Sequence, residues 1–224
     1  AKAYDAYNPL SVVIPTVRAN GITTVIVHPR LNRLVPGHAA AFSTVGLTKE
    51  EAAIASDAKT ANSVGLCISL GSSGRGGGGP STRMGISAEL RQLFFEHKPS
   101  EPMPEEANPK RGRGKKDEVP DEEEELAPAD EIWRNVRDRL LPVLFKAERA
   151  DDILMAVDFI KEHDIRGVVV GGAEAWIVSQ HLADAEVPVL LGPPTVQPNS
   201  FEHLHARYDN AKLLHDSGVL FAFR

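Results

Sequence analysis

Residues 142–172, PVLFKAERADDILMAVDFIKEHDIRGVVVGG, hold a complete strand–helix–strand unit. PVLFKA (142–147) and RGVVVGG (166–172) are near-continuous apolar runs, the pattern of strands buried on both faces. Between them, ADDILMAVDFIKEHD sets Ile153, Val157 and Ile160 on one helical face. Asp151 and Asp152 fall in its first turn, where the helix dipole favours negative charge. Strand, helix and strand in about thirty residues read as a parallel pair with its crossover. In an α/β barrel the strand C-termini face the reaction site. Lys146, with Glu148 and Arg149 just beyond it, therefore stands where chemistry is expected.

Working outward, four further runs have the same character: ITTVIVH (22–28), SVGLCISL (63–70), VPVLLGP (187–193) and GVLFAF (218–223). AEAWIVSQHLADA reads as another helix, and TKEEAAIASDA opens with Thr48 and Glu51 at capping-box spacing. Alternating strands and helices predict an α/β fold with a parallel sheet. The short spacing of the last four strands favours a (β/α)8 TIM-type barrel, incomplete here because about six of its eight strands are found. His28 ends the first run, a strand-end position open to chemistry or to a structural role. Glu174 begins the helix after VVVGG, where it either serves the helix dipole or faces the site.

Charge is unevenly spread. The formal net charge is −6, and residues 98–131 carry twelve acidic and six basic side chains, which accounts for all of it. That segment has six prolines and almost no large apolar residues, so it is expected to be a flexible surface insertion. The chain then divides into 1–97, the first part of a barrel, the charged insertion 98–131, and 132–224, the second part of the same barrel. Within the insertion, KRGRGKK argues weakly for nucleic acid, because an acidic block competes for it and no aromatics are interleaved for stacking. No apolar run approaches the roughly 18 residues of a membrane span. The single cysteine, Cys67, allows no internal disulfide.

Two stretches invite ligand readings. GSSGRGGGGPSTR (71–83) resembles a phosphate cradle but lacks the Gly-Lys-Ser/Thr ending, so a rim loop is the simpler reading. If it binds anything, Arg75 and Arg83 are the charged groups available. His203 and His205 have His-x-His spacing, but a polar lead-in rather than an apolar strand precedes them, which weakens a metal reading.

The blocks DAYNPLSVVIPTVRANGITTVIVHP, LVPGHAAAFSTVG, STRMGISAELR, ERADDILMAVDFIKEHDIRGVVVGGAEAW and ARYDNAKLLHDSGVLFAF occur in an order that resembles the imidazolonepropionase-like branch of the amidohydrolase superfamily. The resemblance runs nearly end to end, omitting only the insertion. It implies a distorted (β/α)8 barrel in which one or two divalent metals (zinc, iron or manganese) activate water against a C–N bond of a small-molecule substrate. The family's ligands are a His-x-His after the first strand, a mid-barrel lysine or glutamate, two histidines on later strands and an aspartate on the last. The resemblance puts the first of these strands upstream of Ala1 and the last beyond Arg224, so this chain is expected to be the central piece of a barrel. It implies that Lys146 stands where the family has a metal-binding histidine and Gly171–Gly172 where it has the next. Cys67 falls at the bridging lysine. An alignment shifted by one strand would instead make Lys146 the carbamylated bridging lysine. No metal ligand is assigned in this chain.

Two functions follow from the resemblance: metal-dependent hydrolysis of an amide or cyclic amide, or a degenerate barrel that binds a small molecule or partner without catalysis. Candidate substrate-binding residues are Lys146, Glu148, Glu174, Arg83 and His28. Lys146 either extends toward solvent or holds a carboxylate-bearing substrate. Homo-oligomerisation stays open. A sheet lacking end strands exposes unpaired edges, so residues 1–224 alone are expected to aggregate; size-exclusion chromatography and a thermal melt test this, and a monodisperse, cooperative melt would refute it.

Overall fold

The computed structural model describes residues 1–54, 62–75, 78–97, 128–193 and 200–224. Residues 98–127 of the charged segment lie outside these. Helix formation begins at Pro128, so residues 128–131 belong to a helix rather than to the insertion.

Among the described residues, seven strands form one curled sheet in chain order: β1 (Thr24–Val27), β2 (Gly37–Ser43), β3 (Gly65–Ser69), β4 (Val143–Ala147), β5 (Gly167–Gly171), β6 (Val189–Leu191) and β7 (Phe221–Phe223). β2 runs antiparallel to both β1 and β3, and β3 to β7 are parallel. The six expected runs each supply a strand. The seventh, β2, was not expected, because GHAAAFS carries no β-branched residue apart from its flank and its alanines give little apolar signal. The described strands thus form a half-barrel with an antiparallel start, not a closed ring of βα units. β1 and β7 each have one neighbour and are its edges.

Eight helices accompany the sheet among the described residues: α1 (Val13–Ala19), α2 (Lys49–Ala52), α3 (Gly71–Gly74), α4 (Arg83–Glu96), α5 (Pro128–Arg137), α6 (Ala150–His163), α7 (Ser179–Asp184) and α8 (Asn210–Asp216). In β4, Val143, Phe145 and Ala147 turn into the main core with Ile153, Val157 and Ile160 of α6. Phe159 of α6 packs edge-on to Phe145 and Phe94, with centroids 6.0 and 5.5 Å apart, and Trp133 of α5 meets Phe94 at 5.6 Å. His97 Nδ1 lies 2.6 Å from Asp130 Oδ1, which ties the end of α4 to the start of α5. The other face of the sheet follows from strand alternation. Ser69, Lys146, Val170, Leu190 and Ala222 are successive ladder partners and line one level of this inner face.

A smaller core joins β2 to the N-terminal segment, where Tyr7 stacks on Phe42 at 3.7 Å. His38 of β2 is buried, and its Nδ1 has no hydrogen-bond partner among the described residues. Burial, aided by the nearby N-terminus and Lys2, lowers its pKa to about 4. The folded state therefore keeps His38 neutral while the unfolded chain protonates it below about 6.5. Stability should fall as pH drops through 6.5 and the loss should level off near 4, on the order of 3 kcal/mol from this residue. Denaturant titrations of His38→Gln across this range should show a shallower decline than the parent protein.

Candidate functional site

Lys146, next to last in β4, lies on the inner face, and the chain keeps its alternation through Glu148. The Lys146 ammonium donates to Glu148 Oε1, and both side chains are largely buried, at 14% and 13% exposure. Glu148 Oε2 accepts from the Ala173 backbone N–H at 3.1 Å. That N–H is delivered by two glycines with positive φ, Gly171 at 110° and Gly172 at 69°. Gly171 matters for a second reason. A Cβ there would lie 2.6 Å from Glu148 Oε1 and 2.7 Å from Oε2. The carboxylate of Glu148 thus fills the space in which a side chain of residue 171 would begin.

A second cluster borders the first. Arg83, the first residue of α4 behind its Thr82 cap, donates from Nε to Asp152 Oδ1 at 2.8 Å and from Nη2 to Oδ2 at 3.0 Å. The same Nη2 reaches Glu202 Oε1 at 2.9 Å, and Arg75 lies 3.9 Å from that oxygen. The Asp152 hydrogen bonds raise the Arg83 pKa above its ordinary value. Burial lifts the Asp152 carboxyl, against the opposing pull of Arg83. Glu202 sits on the 3-10 turn Phe201–His203, so this ion cluster anchors the turn.

The turn brings His203 over the strand ends. Its Nδ1 pairs with Ser200 Oγ at 3.0 Å, and its Nε2 stands 3.7 Å from Glu148 Oε1. His205 goes elsewhere, with Nδ1 at 2.8 Å from Glu174 Oε1. The His-x-His pair therefore does not converge. Glu148 and His203 lie between two cavities and line both, one of about 410 Å³ and one of about 200 Å³. Lys146, Ser72 and Ser73 line the smaller.

Of the residues singled out from sequence, Lys146 and Glu148 meet at the site, and Arg83 supports it from the rim. Glu174 is turned to structural work: its Oε2 accepts from Ala150 N–H at 3.0 Å, satisfying a free donor at the start of α6, which has no side-chain cap of its own. His28 is not brought to this site. It is exposed, follows β1 one step past the Val27–Ala40 pair, and bonds to Pro29 O at 2.9 Å. Cys67 lies mid-strand and buried, its thiol pushed up to about 12 by burial. Of the glycine-rich stretch, residues 76–77 lie outside the described residues. The rest starts as the short α3, where Gly71 packs against the Asp152 and Glu202 carboxylates. Sequence reasoning gave His203 little weight, and did not single out Arg224 or Asn210, which line the larger cavity.

A polar cluster thus stands at the C-terminal ends of the parallel strands of a curled half-barrel. In keeping with that, the fold is similar to the crystal structure of an amidohydrolase from Thermotoga maritima MSB8, with a TM-score of 0.82 and 24% sequence identity. The match covers 100% of this chain and 56% of that one, so the chain spans little more than half of its relative. No protein-family model and no curated protein matches the chain.

The resemblance read from the sequence implies a divalent metal. Among the described residues no group of three or more His, Cys, Asp or Glu side chains is placed to hold a metal ion. At the strand ends stand a lysine already bound to the nearest carboxylate and a glycine. Cys67 is buried mid-strand, and its ladder partner is the apolar Leu144.

If Glu148 fills the space of a side chain at 171, the two positions are coupled. Gly171→Ala is expected to cost about 2–3 kcal/mol through collision and backbone strain. In a Glu148→Ala background the collision part should vanish and the cost should fall by roughly half. A double-mutant cycle by denaturant unfolding measures this, and additive costs would exclude the coupling.

Proposed function

We propose that this chain is part of an amidohydrolase-type barrel of the imidazolonepropionase-like branch that binds a small molecule at its strand ends without a metal held by these strands. The Lys146–Glu148 ion pair carries the reading. A protonated lysine repels a divalent cation, and a carboxylate already accepting from an ammonium and a backbone N–H is a poor additional ligand. On β5 the ladder partner of Lys146 is Val170, and the residue against the Glu148 carboxylate is Gly171, so neither offers a donor side chain. What the site retains is recognition chemistry: a buried ion pair, a histidine and hydroxyl groups around two cavities.

The competing reading is hydrolysis of an amide or cyclic amide through zinc, iron or manganese. It draws on the fold likeness, and on the chain spanning 56% of its relative, so that strands beyond this chain would supply the ligands.

Elemental analysis of the full-length protein, before and after chelation, separates the two. The metal-free reading expects far less than one metal ion per chain, no rise in melting temperature on adding zinc or manganese, and no turnover of cyclic amides or ureides. Near-stoichiometric metal lost to a chelator along with hydrolytic activity would establish the alternative.

A further inference from the structure

The smaller cavity sets a primary amine beside a fixed proton acceptor. Lys146 lines it and donates to Glu148 Oε1, while the other oxygen of Glu148 accepts from the Ala173 N–H at 3.1 Å. The carboxylate is thereby held against the amine. Passing the proton from the Lys146 ammonium to Glu148 turns an ion pair into an amine and a carboxylic acid. Both side chains are largely buried, at 14% and 13% exposure. Removing two charges from a site with little water offsets part of what that transfer costs. An amine so released is a nucleophile at the wall of a cavity, the setting in which lysines attack carbonyl groups.

The rest of the wall limits what can enter. Its two carboxylates are already matched, Glu148 by Lys146 and Glu202 by Arg83 at 2.9 Å. Lys146 is the only lysine or arginine among the described lining residues, so an anionic ligand would face two carboxylates with no cation to spare. Ser72 and Ser73 of α3 supply uncharged hydroxyls. At about 200 Å³ the cavity lies below the roughly 300–1,000 Å³ of sites for drug-sized ligands, which restricts it to a molecule of a few heavy atoms.

We propose that Lys146 forms an imine with a short, uncharged hydroxyaldehyde in the smaller cavity, with Glu148 carrying the proton. Glu148 takes a proton from the ammonium, and the amine nitrogen attacks the carbonyl carbon. A second nitrogen proton moves to the carbonyl oxygen, giving a carbinolamine. Glu148 then returns its proton to the carbinolamine hydroxyl, which leaves as water while the C=N bond forms. The net change is ammonium plus aldehyde to protonated imine plus water. The protonated imine takes the ammonium's place opposite the Glu148 carboxylate, so the charge of the site is unchanged. The proposal rests on the metal-free reading above and adds the ligand's class and its chemistry.

The probe is glycolaldehyde with sodium cyanoborohydride, which reduces an imine to a stable secondary amine, applied to the full-length protein as purified and after EDTA treatment. Peptide mapping by mass spectrometry reads each modified lysine as a gain of the aldehyde less one oxygen atom. The exposed Lys161 and Lys212 serve as references in the same sample. Although less exposed than these, Lys146 should be labelled about ten-fold faster or more. Its rate should saturate with aldehyde concentration while theirs rises linearly. Glyoxylate, an aldehyde of similar size with a carboxylate, should lose the selectivity, and propionaldehyde, lacking the hydroxyl, should label Lys146 about five-fold less well. Combining Ser72→Ala with Ser73→Ala should erase the difference between glycolaldehyde and propionaldehyde. Glu148→Gln, whose side chain can neither take up nor return the proton, should slow the reaction at Lys146 about ten-fold or more. Labelling of Lys146 no faster than the references, a rate that does not saturate, selectivity kept with glyoxylate, no preference for glycolaldehyde over propionaldehyde, or an undiminished rate in Glu148→Gln would each overturn the proposal while leaving the metal-free reading in place. Selective labelling seen only after EDTA treatment would put a metal over Lys146 in the native protein and overturn both.

Discussion

Asp152 keeps a carboxylate at 1% exposure, and the fold around the site depends on how Arg83 makes that tolerable. A buried carboxylate stripped of its partner costs several kcal/mol. Here two parallel hydrogen bonds from one guanidinium compensate it, and the same guanidinium then reaches Glu202. Three separate parts of the chain are joined through this one group: the start of α4, the first turn of α6 and the turn that carries His203. The charged groups are therefore not a solvated fringe. They set the distance between the turn and the strand ends, and so the shape of the space between Glu148 and His203.

The βαβ unit at residues 142–172 was legible because its two periodicities are unmixed. Continuous apolar runs give β4 and β5, and a 3.6-residue stripe gives α6, with Ile153, Val157 and Ile160 all buried as the pattern requires. β2 was not legible for the converse reason. Its burial comes from alanines whose close packing the sequence does not advertise, and from Phe42 under Tyr7, a contact with the far N-terminal segment. The antiparallel start of the sheet follows from that hidden strand.

The site was legible in part. The rule that strand ends face chemistry located Lys146 and Glu148, whose contact is local. It also selected His28, whose strand belongs to the antiparallel start and whose side chain is exposed. Glu174 had two readings, and only the tertiary contact with the Ala150 N–H distinguishes them. His203 was undervalued because its lead-in is polar. What orients it is a turn anchored by Arg83, a residue distant in the chain, and no local pattern records that. Arg224 and Asn210 carry no motif at all, and only the fold places them on the wall of the larger cavity.

The Glu148 carboxylate occupying the space above Gly171 also bears on how such a site can change over time. A histidine at 171 is blocked while Glu148 stands, since its first carbon would enter the carboxylate. Removing Glu148 first leaves Lys146 largely buried with no counter-ion. Each single substitution therefore passes through a less stable protein, so the ion pair ties positions 146, 148 and 171 together and they change more readily as a set than one at a time.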